Sequence, residues 1–445
     1  GITVNSIDQS ASGMFVVETN IFNSTRFDGT HVGCQRTQRC ALVNSHLDLS
    51  TNHLAYDAGA INAVVYGNIL TESSHGRNVY RMIGAGTPST FARNVYIGYN
   101  FMGGWIDNRA ATSSQCGRNP CNRFSTDLVT LSLVDASDGP QMLENVMFEH
   151  NVITDSERFM NIGSSENITI RDNIFRTSEG DFDTSGYSGR IILENSGFNG
   201  APIINAKIID NNVIAVGAGG VVNSIFKLDP ASGTTFKGTQ HKEIVIADNK
   251  IYDQGTSSTK LKLFLSNANF INSAEQRKNV TILTNEIYRV DENTMFEFSG
   301  ATPSTYTLSA FQTSFPQTAA NNQRLATQLM AVEGLVKSPI YQYGDATIQL
   351  RYSYVKDFTG SGIADVQLWY KLGETGVWSD TGLRSVPVTE TAGVHTYGKG
   401  TFGFTPTQSG NYYFATRVRL NNNAVYPQTL TLPHTRTVVE GVGGG

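Results

Sequence analysis

Asn94-Val-Tyr-Ile-Gly-Tyr-Asn100 and Asn145-Val-Met-Phe-Glu-His-Asn151 share one form: two asparagines six residues apart, with apolar residues at the second and fourth places. The form returns at Asn167-Ile-Thr-Ile-Arg-Asp-Asn173 and Asn279-Val-Thr-Ile-Leu-Thr-Asn285. Weaker copies end at Asn20, His46, Asn68, Asn212 and Asn249; in the copy ending at Asn212 the leading Asn is replaced by Ala206. Alternation of period two marks each unit as a short strand with one face inward. One such strand cannot bury its face, but a stack of them about 4.8 Å apart can. The recurring Asn then sits at a bend, where its amide can bond to the equivalent amides above and below.

Working outward, a second strand precedes most copies, at 129–134, 159–163, 190–194, 225–228, 261–265 and 295–298. Strands repeated coil by coil, with loops of unequal length between them, describe an all-β solenoid, expected over residues 1–335 with Asn20, Asn68, Asn100, Asn151, Asn173, Asn212, Asn249 and Asn285 at equivalent bends. A leucine-rich repeat would need an L-x-x-L-x-L register that is missing, and a propeller would need blades of about 40 residues. On these repeats the chain resembles the pectin-lyase-like superfamily of right-handed parallel β-helices. That resemblance implies a right-handed parallel β-helix and an extracellular or cell-surface protein. It leaves the activity open among lyases, hydrolases, tailspikes and adhesins.

Composition changes after Gly300. Leu325 to Val336 has a helix-compatible pattern, expected to cap the open end of the stack. From Tyr343 onward, alternating strands separated by glycine turns predict an immunoglobulin- or fibronectin-like β-sandwich over 340–440, with Trp369 in its core.

A net charge of −5, with acidic and basic residues scattered, lacks the footprint of a nucleic-acid binder. No apolar run of about 18 residues could span a membrane. Four cysteines in two close pairs predict the disulfides Cys34–Cys40 and Cys116–Cys121, in keeping with an oxidising compartment. The chain opens in strand-like sequence, so the first coil offers an open edge for self-association.

Outward positions of stacked strands build a ladder-like surface suited to a polymer. The fifth and sixth places of the repeat gather ionisable residues mid-stack: Glu149, His150, Arg171, Asp172 and Asp210 are the candidate catalytic group. Tyr66 and Tyr99 on earlier coils are candidate sugar-stacking residues, and His75, Arg77 and Arg81 further substrate-binding candidates. Glu149, Asp172 and Asp210 also carry the oxygen donors that calcium takes, although no spacing demands it. These features predict a protein acting on a polysaccharide, an acidic glycan cleaved by lyase or hydrolase chemistry. The alternative is a non-catalytic adhesin, fibre or spike subunit.

Overall fold

The computed structural model describes residues 2–442 apart from 6–12, 23–29, 51–52, 74–78, 84–90, 104–126, 132–142, 155–157, 177–188, 196–201, 216–223, 232–240, 254–260, 289–293, 300–303, 326–332, 340, 358–360, 393–394 and 431–432. The chain divides into two compact units, Gly1–Gln328 and Leu329–Gly445.

The first unit is a right-handed parallel β-helix. Each coil contributes one strand to each of three parallel sheets of ten strands, pairing runs from every coil to the next, and Ser304–Tyr306 adds an antiparallel eleventh strand to the end of the first sheet. The strands of the quoted repeat form the second sheet. The third sheet, of strands as short as Phe101–Gly103, follows each bend. Between consecutive coils the fourth repeat position keeps strict register through Leu42, Val65, Ile97, Phe148, Ile170, Ile208, Ile246 and Ile282. All are buried in one continuous core.

Each bend has two parts. The residue before the ladder position adopts a left-handed backbone: Tyr99, His150, Asp172, Asp210, Asp248 and Thr284 have φ between 49° and 57° together with Asn44. The next residue turns its amide inward. In this buried ladder Asn68, Asn100, Asn151, Asn173, Asn211, Asn249, Asn285 and Asn322 follow one another, each passing its backbone N–H and Nδ2–H to the Oδ1 of the next. Nδ2 also serves strand carbonyls, as Asn173 does for Phe148. Buried amides are thereby satisfied without water.

This geometry corrects three expected positions. Asn211, not Asn212, occupies the ladder, and the copy is Asn205-Ala-Lys-Ile-Ile-Asp-Asn211, which matches the repeat in full. Ser45 rather than His46 makes the first bond of the ladder, donating its N–H to Asn68 Oδ1. Thr19, not Asn20, bonds to Ser45 Oγ. In each case the expectation lies one residue late, and His46 and Asn20 begin the next strand. The leading asparagines form a second, exposed ladder, Asn62–Asn94–Asn145–Asn167–Asn205, also with positive φ.

The expected helical cap is corrected as well. Glu333–Lys337 is a strand of the second unit, while the capping helix is Leu308–Ser314, which buries Leu308 and Phe311. Its Gln312 places Oε1 against Asn322 N and Nδ2 at 2.8 and 3.0 Å, standing in for the missing next rung.

The second unit is a β-sandwich. One sheet contains Glu333–Lys337, Ile348–Lys356, His395–Phe404 and Val388–Ala392; the other contains Tyr341–Tyr343, Thr435–Glu440, Gly410–Leu420, Ile363–Leu372 and Ser379–Ser385. Leu350 and Tyr352 from the first meet Val366, Leu368, Phe414 and Val418 from the second in one core. Trp369 is not part of it. Alternation turns Leu368 inward and Trp369 outward, half-buried under the Arg417 guanidinium at 5.0 Å.

The Cys34–Cys40 disulfide is formed. Cys116 and Cys121 lie outside the described residues. No helix among the described residues is long and apolar enough to cross a membrane.

Candidate functional site

The outer face of the second sheet carries the site. Tyr96 occupies the third repeat position and points outward, and Gly98, two residues on, offers no side chain beside it. A Cβ at Gly98 would lie 2.4 Å from Tyr96 Oη, so the phenol lies across a space that only glycine leaves open. From there Oη donates to Glu149 Oε1 in the next coil at 2.9 Å. Arg171, one coil further, donates from Nε to Glu149 Oε2 at 2.7 Å. Both oxygens of Glu149 are thus engaged. Burial and then the Glu149 carboxylate push the Tyr96 hydroxyl well above its ordinary pKa, which keeps it a donor.

Beside this network runs the column of left-handed bend residues. Arg171 pairs in register with Ile209, not with Asp210. Asp210 instead follows Asp172 at the bend, and Asp248 follows Asp210. Burial pushes the Asp172 carboxyl up to about 6, and the Asp210 charge adds to it against the opposing pull of Arg171, 3.8 Å away. Asp210 is raised too, first by burial and then by Asp248, to which Thr284 Oγ1 donates.

At the other end of the site the rings gather. Tyr66 lies 5.4 Å from Tyr99 and 6.3 Å from Tyr96, and Tyr99 lies 4.7 Å from His150 between ring centroids. The structure therefore brings Glu149, His150, Arg171, Asp172 and Asp210 onto one surface with Tyr66 and Tyr99. Arg81 is not there: it belongs to the first sheet, 3.3 Å from His53 Nε2 and above Tyr56. His75 and Arg77 lie outside the described residues. Among the described residues, no group of three or more acidic, His or Cys side chains is arranged to hold a metal.

Tyr96 was missed in the sequence although it stands inside the opening motif. The signal that could have found it is the glycine at 98, where the strand's outer face needs room for a ring.

No family model matches the chain, and no curated protein matches it in sequence. Three solved structures show weak likeness. The tailspike protein of Acinetobacter baumannii phage AM24 is 9% identical with a TM-score of 0.29, over 97% of this chain and 78% of that one. The full-length tailspike protein 2 of Escherichia coli O157:H7 bacteriophage CAB120 gives 8% and 0.17, over 96% and 66%. The enzymatically active domain of bacteriophage CBA120 tailspike protein 2 gives 10% and 0.22, over 96% and 73%. The fold assignment rests on strand register and not on these values.

Proposed function

We propose that the protein is an extracellular polysaccharide hydrolase of the pectin-lyase-like type whose groove lies on the second sheet of the β-helix, with the sandwich as an immunoglobulin-like accessory module. The observation that carries this reading is the pair Asp172 and Asp210, at equivalent bends of adjacent coils, with both carboxyls raised and Asp172 raised to about 6. A carboxyl that keeps its proton toward neutrality can deliver it to a glycosidic oxygen as the bond breaks. Neighbouring strands stand about 4.8 Å apart, near the separation of about 5–5.5 Å at which a second carboxylate attacks the sugar directly. Asp172 is the proton donor and Asp210 the nucleophile. Tyr66 and Tyr99 support the preceding sugars, and Tyr96 and Arg171 hold Glu149 fixed beside the reacting centre.

Hydrolysis is favoured over β-elimination by the charge around the site. A lyase must neutralise a uronate carboxylate before the neighbouring proton can leave. Arg171 already spends its charge on Glu149, and the adjoining column is acidic. The scissile linkage therefore suits a neutral sugar. The Cys34–Cys40 bridge supports the extracellular setting.

Incubation with acidic and neutral polysaccharides, reading reducing ends and unsaturated products separately, tests the reading. New reducing ends that vanish in Asp172→Asn are expected. Unsaturated products would replace hydrolysis by elimination, and binding without cleavage would make the molecule a spike or adhesin.

A further inference from the structure

The outer face of the larger sandwich sheet departs from what a solvent-facing sheet should carry. Alternation normally leaves such a face polar. Here register places rings across its whole width. Tyr341 and Tyr343 pair in parallel with Val438 and Glu440 at one edge, Tyr413 pairs with both Lys371 and Arg436 in the middle, and Trp369 stands at the far side, with Trp378 beside Lys371 just before Ser379–Ser385. Tyr341 is 49% exposed and Tyr343 71% exposed, so these rings are not borrowed from the core. The Tyr343 ring lies over Gly441, where a Cβ would come within 2.8 Å of it.

Cations are set among the rings. Lys371 Nζ lies 5.5 Å from the Trp378 ring and 5.3 Å from the Tyr413 ring, and Arg417 lies over Trp369. The acids Asp365 and Asp380 are each taken up by an arginine, Arg419 and Arg384, while Glu440 accepts from Tyr341 Oη at 3.0 Å. Glu374 sits in the turn after Lys371, where its backbone carbonyl accepts from Nζ. Among the described residues, Lys371, Arg417 and Arg436 form no ion pair. Three cations outside any ion pair, with Glu374 and Asp380 acting on Lys371 and Arg417 only at longer range, are interleaved with flat rings and complement a polymer that offers apolar sugar faces and anionic groups together.

We propose that this face binds an anionic polysaccharide and so is a second, non-catalytic glycan site. It takes the polysaccharide class from the groove reading and adds the charge of the ligand. Rings at Tyr341, Tyr343 and Trp378 pack against the C–H faces of successive sugars, while Lys371 and Arg436 meet carboxylate or sulfate groups. A heteropolymer with acidic and neutral sugars satisfies both this face and the acidic groove.

The test uses the full chain carrying Asp172→Asn, so that polymer is not consumed, with polygalacturonate as the anionic probe and dextran as the neutral one. Polygalacturonate is expected to be retained more strongly than dextran, which only the groove would hold. Tyr343→Ser together with Arg436→Gln should weaken retention by about tenfold or more without lowering the melting temperature, because both side chains stand at the surface. Added salt should weaken it further. Equal retention of both probes, retention of neither, or unchanged retention in the double variant overturns the proposal. So does a parent that sediments as an oligomer and a double variant that sediments as a monomer, which would make the face a contact between copies. Cleavage of short oligosaccharides by the chain with native Asp172 reads the groove independently, so the two readings fail separately.

Discussion

The solenoid groove and the outer sandwich face are both the wet side of a β-sheet, yet they are built by opposite routes. In the groove, neighbours in space are the same repeat position in consecutive coils, so Asp172, Asp210 and Asp248 gather because one bend recurs. On the sandwich, neighbours come from strands far apart in the chain: Trp369 stands beside Ala415, and Tyr341 beside Val438. A repeat can accumulate like charges in a column, which raises carboxyl pKa values and makes proton donors. Pairing of strands unrelated in sequence mixes rings and cations instead. The first route suits chemistry on a bond and the second suits adhesion to a chain.

The contrast breaks most sharply at Asp172. Asp172→Asn should lower hydrolysis by about 10²–10⁴-fold, measured as initial rates of reducing-end release, while the sandwich retains polymer as before. In the parent, the rate limb governed by the proton donor should fall as pH rises through about 6, since Asp172 must be protonated to act. A rate that rises through that range would give the proton-donor role to another group.

The repeat itself is tested by Asn173→Leu. The change leaves the buried Asn151 N–H without its acceptor and takes a donor from the Phe148 carbonyl, while Asn151 Nδ2 keeps the Ile97 and Glu149 carbonyls. It should cost roughly 1–3 kcal/mol, read as a lowered denaturation midpoint of the first unit. An unaltered midpoint would mean that the ladder contributes no stability.

The two units should also answer pH in opposite directions. Burial pushes Asp57 up to about 6, against hydrogen bonds from Tyr80 Oη and the Cys34 backbone, so the folded solenoid holds its proton more tightly than the unfolded chain does. This contribution is present at low pH and is lost as pH rises from about 4 to about 6, by up to roughly 3 kcal/mol. Burial pushes His434 of the sandwich down to about 4, so there stability is lost as pH falls from about 6.5 toward 4. Calorimetry should resolve two transitions that move in opposite directions across this window, and Asp57→Asn should reduce the slope of the first alone, leaving the smaller part owed to the more exposed Asp172 and Asp210. Transitions that shift together would remove the distinction.

The smallest effect is expected at Gly98. Gly98→Ala places a methyl against Tyr96 and should displace the phenol from Glu149, reducing the rate by roughly tenfold with little change in KM, as for a positioning contact. Tyr96→Phe should match it.

The β-helix was legible because the apolar alternation and the recurring Asn state a period, and a period is a stack. Register within one residue was harder. Asn211 and Asn212 are chemically equal, and only the left-handed backbone of Asp210 decides which of them turns inward. With Asn212 taken as the bend, the repeat would set Asp210 opposite Arg171, when it belongs with Asp172. The cluster of charges in the groove survived that error because both positions are polar and adjacent. Tyr96 was hidden because its reach depends on what Gly98 lacks, and the capping helix because Leu308-Ser-Ala-Phe311 shows too few apolar turns to stand out. The ring-bearing sandwich face could not be read at all without strand pairing, and Trp369 was assigned to the core for want of it.

The buried asparagines also have a sense of direction. Every rung from Asn68 to Asn322 offers donors toward the C-terminal end and its acceptor toward the N-terminal end. Their amide dipoles therefore align, as peptide groups do in a helix, and give the solenoid an axial polarity. A whole coil can be added or removed without reversing it, since each junction is the same. Only the two ends are unlike, and the positive end is where Gln312 presents a lone oxygen.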